Sequence, residues 1–124
     1  MKIFTLDEAN DLLAGVIPKL KSIQRSYARI DGMRESARAA SGASEFGGGM
    51  AGGSRYVNSL YEIGMLTTEI NELGIQLKDY TRGLIDFPTM RGGHLVLLCW
   101  QFGDGEEIQW WHETDSGFAG RQAL

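Results

Sequence analysis

His112 and Glu113 stand side by side near the end of this 124-residue chain, with Asp115 close behind them. An imidazole among carboxylates is the raw material of a general base or a metal site. In a strand, however, consecutive side chains point to opposite faces, so His112 and Glu113 cannot share one ion without a bulge or a strand end. A zinc site also needs three or four ligands at characteristic spacing. His94 is the only other histidine, Cys99 is the only cysteine, and no second cluster of the two types exists. No metal and no cofactor is therefore expected, and His112 reads as a hydrogen-bonded structural residue.

Asp86 is the other group that asks for an explanation, because it lies between Ile85 and Phe87 in an apolar run. If it points inward it needs a partner such as Arg82, Arg91, Arg121 or His112, since an unpaired buried charge is very unfavourable. An Asp86–His112 dyad could act as a general base while Arg121 holds an anionic substrate. No nucleophile or oxyanion motif accompanies the pair, so a polar clasp fixing the C-terminal tail to a sheet is the simpler reading. Cys99 sits mid-strand among apolar neighbours, where a thiol is ordinarily inert packing. The candidate binding residues are Asp86, His112, Glu113 and Arg121, together with Asn10, which has no capping role to account for it. No catalytic residue is assigned, and whether the chain is an enzyme stays open.

These groups must be positioned by the elements around His94–Phe102, the longest apolar run in the chain. Leu95, Leu97 and Cys99 would share one face of this strand, and Val96, Leu98, Trp100 and Phe102 the other. With both faces apolar, it reads as a central strand covered on two sides. Residues 75–113 form a β-meander: a short strand over 75–79, a turn over 80–83, a strand over 84–87 stopped by Pro88, and a turn over 90–93 into the central strand. A turn at Gly103-Asp-Gly-Glu106 leads to a last strand, 107–113, in which Ile108, Trp110 and His112 share a face. Connections this short require antiparallel pairing. The tail, 114–124, shows no period.

Ahead of the meander lies a helical hairpin over 6–73. Thr5-Leu-Asp-Glu8 has the form of a capping box. Apolar residues then recur at Leu6, Ala9, Leu13, Val16, Leu20, Ile23, Tyr27 and Ile30, a heptad seam of the coiled-coil kind. Pro18 interrupts it at about 3 kcal/mol. Each buried seam residue returns roughly 1.5–3 kcal/mol, which predicts one helix over 6–39, kinked near Pro18. A second helix is expected over 55–73, ended by Gly74. Between them the Gly-rich stretch 41–54, centred on Gly47-Gly-Gly-Met-Ala-Gly-Gly53, reads as a linker. A phosphate cradle would need a preceding strand and a following Lys-Ser/Thr, and neither is there.

Composition is that of an ordinary folded domain, 43% hydrophobic and 23% charged. Residues 1–60 hold eight Lys/Arg against six Asp/Glu, and residues 61–124 hold four against ten. That −6 in the second half argues against nucleic acid as a partner. There is no apolar leader core, no run near the roughly 20 apolar residues a bilayer requires, and no possible internal disulfide, so a cytoplasmic location is expected.

Several short motifs occur in a characteristic order: Phe4-Thr-Leu-Asp-Glu-Ala-Asn10, Gly83-Leu-Ile-Asp-Phe-Pro88, Leu98-Cys-Trp100, Trp111-His-Glu113 and Gly117-Phe-Ala-Gly-Arg121. With them the chain resembles, over nearly its whole length, the bacterial family catalogued as domain of unknown function family 2203. Members of that family often have Pro after the Leu-Leu pair, whereas Ala14 follows Leu12-Leu13 here and Pro18 comes later. The resemblance implies no particular activity.

The expected architecture is α+β in a single domain, a long antiparallel helical hairpin packed on a small antiparallel meander of three to four strands. A domain this size has a radius of gyration of about 14 Å, so a helix of about 50 Å should overshoot it and leave Tyr27 and Ile30 exposed. Such a stripe calls for a second copy, which makes a homodimeric interaction module the first functional expectation. The alternative is a small-molecule or anion-binding protein, with catalysis left open and its site at Asp86, His112 and Arg121. No membrane partner is expected.

Overall fold

The computed structural model describes residues 1–40 and 53–124. Two helices, α1 (Leu6–Ala40) and α2 (Gly53–Glu72), precede five strands: β1 (Gln76–Asp79), β2 (Leu84–Arg91), β3 (His94–Trp100), β4 (Trp110–Glu113) and β5 (Gln122–Ala123). The strands form one antiparallel sheet in the order β1-β2-β3-β4-β5, which puts β3 at the centre. The architecture is α+β as expected, with five strands rather than three to four. The extra strand is β5, whose two residues carry no periodic signal and are placed only by pairing with Trp110 and Trp111.

Helix α1 begins on its capping box: the Thr5 backbone N–H donates to Glu8 Oε1 at 2.8 Å, and the Glu8 N–H donates to Thr5 Oγ1 at 3.1 Å. The Thr5 backbone N–H, and after it the Thr5 side chain, hold the Glu8 carboxyl below its ordinary range. Pro18 lies inside α1 on its exposed side, and the helix continues through it. The seam explains why: Ala9, Leu13, Val16, Leu20 and Ile23 are each at most 1% exposed. They join Ile85, Phe87, Leu98 and Trp100 in one hydrophobic core, so the helices cover one face of the sheet. Helix α2 returns antiparallel along α1, through Lys19–Glu69 at 2.6 Å, Ser26–Glu62 at 2.9 Å and Arg29–Glu62 at 3.3 Å.

Three expectations need correction. Tyr27 and Ile30 are not left bare: Ile30 is 2% exposed, and Tyr27 stacks on Tyr80 with ring centroids 5.9 Å apart. The returning α2 and the turn after β1 cover the far seam. The linker expected over 41–54 overlaps α2, which already holds Gly53 and Ser54; its remainder, with most of the considered phosphate cradle, lies outside the described residues. Lastly, β2 does not stop at Pro88 but runs to Arg91. Pro88 lies beyond the last β1 pair, Gln76–Asp86, and its carbonyl accepts the Phe4 N–H at 2.7 Å. In an antiparallel ladder a residue's N and C=O point the same way. The missing Pro88 N–H therefore faces the outer edge, and the β2–β3 ladder loses nothing.

Candidate functional site

The sheet face turned away from the helices carries an unusual group of side chains. Gly92 and Gly93, with φ of 59° and 85°, make the tight left-handed turn that sets the β2–β3 register. That turn pairs Arg91 with His94 and brings Asp86 opposite Cys99. On the other side of β3, Leu97 pairs with His112 and Cys99 with Trp110, so His112 lies diagonal to Cys99. Directly opposed residues share a face, which gathers Asp86, Cys99 and His112 on three neighbouring strands. Their potential ligand atoms all lie within 4.8 Å of one another. All three are buried: Asp86 and His112 are 3% exposed, and Cys99 is fully enclosed.

Hydrogen bonds fix the imidazole. His112 Nδ1 lies 2.7 Å from the Glu113 main-chain carbonyl, which can only accept, so Nδ1 carries a proton. Nε2 faces Asp86 Oδ1 at 3.1 Å. One further proton must lie in that contact, because two lone pairs would otherwise meet. The pair is thus an imidazolium against a carboxylate, or its neutral equivalent. Beside it the Cys99 thiol is pushed up to about 12, chiefly by burial and next by the Asp86 charge, with Arg121 acting in the opposite direction. A thiol held so firmly protonated is no nucleophile at neutral pH.

Arg121 does not reach Asp86. Its fork is filled by Asp104, with Nη1–Oδ2 at 2.8 Å and Nη2–Oδ1 at 3.0 Å. That bidentate bond is the main reason its pKa is raised further. The guanidinium lies 4.6 Å from the Trp110 ring centroid and 4.5 Å from that of Phe118, while Arg82 lies 4.1 Å from Phe118. Arg121 Nη1 is also 4.0 Å from Cys99 Sγ. The tail is thereby clasped over the cysteine, but through Asp104. An arginine committed in this way does not present its fork to an anion.

The remaining candidates lie elsewhere. Glu113 points to the other face and pairs with His94 at 3.2 Å, which keeps it apart from His112 as strand alternation requires. Asn10 Oδ1 accepts the Ile108 N–H at 2.8 Å and ties α1 to the segment before β4. Ile108 joins the helix-side core instead of sharing a face with Trp110 and His112, because β4 begins only at Trp110.

Two members of the site were missed in the sequence. Cys99 was legible, since counting outward from a two-residue Gly92-Gly93 turn places it opposite Asp86. Asp104 carried no signal beyond that of a turn residue. Ligand spacing along the chain does not register this group, because the three residues come together through strand pairing and not through any local motif.

No helix among the described residues is long and apolar enough to cross a membrane. No curated protein and no solved structure matches the chain. One family model does match, over residues 2–124, and the chain belongs to that family, described as "Uncharacterized conserved protein (DUF2203)".

Proposed function

We propose that this protein is a cytoplasmic interaction module that homodimerises through its helical hairpin. The observation that carries the reading is the outer face of α2. Val57 and Tyr61 are 62% and 71% exposed, and Leu60 and Met65 are exposed beside them. With Gly64 and Thr68 they form a stripe at helical spacing that contains no charged residue. A side chain at Gly64 would meet nothing within 4 Å, so another backbone can approach closely there.

The stripe is self-complementary. An antiparallel α2–α2 pair centred between Tyr61 and Met65 sets Tyr61 of one protomer against Met65 of its partner, and the reverse contact follows from two-fold symmetry. With both α1 helices outside, the result is a four-helix bundle of the coiled-coil kind. Light scattering should give twice the chain mass at micromolar concentration, and Tyr61→Lys with Met65→Lys, which sets lysine against lysine across the pair, should give the single-chain mass with unchanged helicity. A wild-type protein that stays monomeric across that range overturns the reading.

A further inference from the structure

We infer that Asp86, Cys99 and His112 form a binding site for one divalent transition-metal ion of the zinc class. The site is independent of self-association, because it lies on the sheet face opposite the helices.

Four observations lead there. First, a carboxylate, a thiolate and an imidazole are zinc ligands, and three of them with one position left over is a familiar coordination pattern. A sulfur donor disfavours magnesium and calcium, which take oxygen ligands. Second, the spacing fits. Bond lengths of 2.0–2.3 Å in a tetrahedron put neighbouring ligand atoms about 3.3–3.6 Å apart. His112 Nε2 and Asp86 Oδ1 are already 3.1 Å apart, and the whole set spans at most 4.8 Å, so closing it takes side-chain shifts of about 1 Å.

Third, His112 is oriented as a ligand should be. Its Nδ1–H donates to the Glu113 carbonyl, which leaves Nε2 aimed at the other two groups. Fourth, the charges balance. A dication replaces two protons, the one held between Nε2 and Asp86 and the one on the thiol. Asp86 and Cys99 then contribute −2 against +2, while Arg121 and Asp104 already neutralise each other. A buried site stays neutral with or without its ion, as the low-dielectric surroundings demand. Arg121 Nη1, 4.0 Å from Sγ, is placed to support the thiolate. No electrons move; two protons go to solvent.

The sequence makes the test sharp, because Cys99 is the only cysteine and His112 one of two histidines. Untagged protein, stripped with a chelator, is titrated with cobalt(II) and then with zinc. The expected result is one ion per chain, a sulfur-to-cobalt charge-transfer band that can come only from Cys99, loss of that band when zinc is added, and release of two protons per zinc. Cys99→Ala should abolish the band and weaken zinc binding by more than about 100-fold, and Asp86→Asn should weaken it while the sheet stays folded by circular dichroism. His94→Ala should change nothing. If a variant fails to fold, the wild-type band and proton count decide alone. Absence of the charge-transfer band in folded wild-type protein overturns the site, and so does zinc binding that survives Cys99→Ala unchanged.

Discussion

Removing the imidazole of His112 should be among the most destabilising single changes in the protein. His112 and Asp86 are 3.1 Å apart, with side chains 3% and 4% exposed. His112→Leu would leave the Asp86 carboxylate enclosed without its partner and the Glu113 carbonyl without its 2.7 Å donor. Breaking a buried pair from one side destabilises by about 3–5 kcal/mol. For a chain of this size each kcal/mol moves the melting temperature by roughly 4 °C, so a fall of roughly 12–20 °C is expected. Asp86→Leu should be milder, about 1–3 kcal/mol, because a neutral His112 keeps its bond to Glu113 and loses only one partner. The double variant should be less destabilised than the sum of the two singles by about 2–4 kcal/mol, since it leaves no orphaned charge. Urea unfolding of all four proteins with excess chelator, followed by circular dichroism, gives this coupling directly. Single-variant effects that add to within about 0.5 kcal/mol would show that the two residues do not interact, and the reading of this face would fall with that result.

Two further perturbations test other parts of the fold. Thr5→Ala removes the side-chain half of the capping box and should lower stability by about 1 kcal/mol, read as a shift in urea midpoint at constant m-value. Asp79 accepts the Arg82 and Thr81 backbone N–H groups and the Thr81 hydroxyl, and these bonds, that from Arg82 foremost, hold its carboxyl below the usual range. A carboxyl with a depressed folded-state pKa stabilises above its unfolded value of about 3.9 and loses that contribution as pH falls through the folded value. Asp79→Asn should therefore make stability depend less steeply on pH below about 4, measured as melting temperature against pH.

How much of this could be read from sequence depends on the range of the forces involved. The capping box, the α1 seam and the stop at Gly74 are local, and each stands where the residues put it. The continuation of α1 through Pro18 was read correctly because the proline's penalty is small beside the burial of five seam residues. Pro88 was misread because its effect depends on which strand edge its nitrogen faces, and that depends on where β1 ends. The Asp86–His112 bond was among the partners weighed, since a carboxylate inside a strand admits few solutions. The Arg121–Asp104 bond was not foreseen, because the long connection between β3 and β4 hides their register. Cys99 was taken as packing, although the Gly92-Gly93 turn contained enough information to bring it against Asp86. The seam past Tyr27 was expected to be bare because the return path of α2 follows from tertiary contacts and not from helix length.

The way Phe4 meets β2 has a consequence for the order of folding events. Its N–H bonds to the Pro88 carbonyl, and its own carbonyl accepts the Thr89 hydroxyl at 2.6 Å across 85 positions of chain. The hairpin of helices and the meander of strands can each assemble from near neighbours, whereas this junction must wait for a loop longer than half the chain to close. During synthesis α1 therefore leaves the ribosome well before the surface it will cover exists. Until β2 and β3 emerge, its apolar seam has only α2 to shelter it, which leaves the sheet-facing stripe from Ala9 to Val16 as the part most open to chaperones.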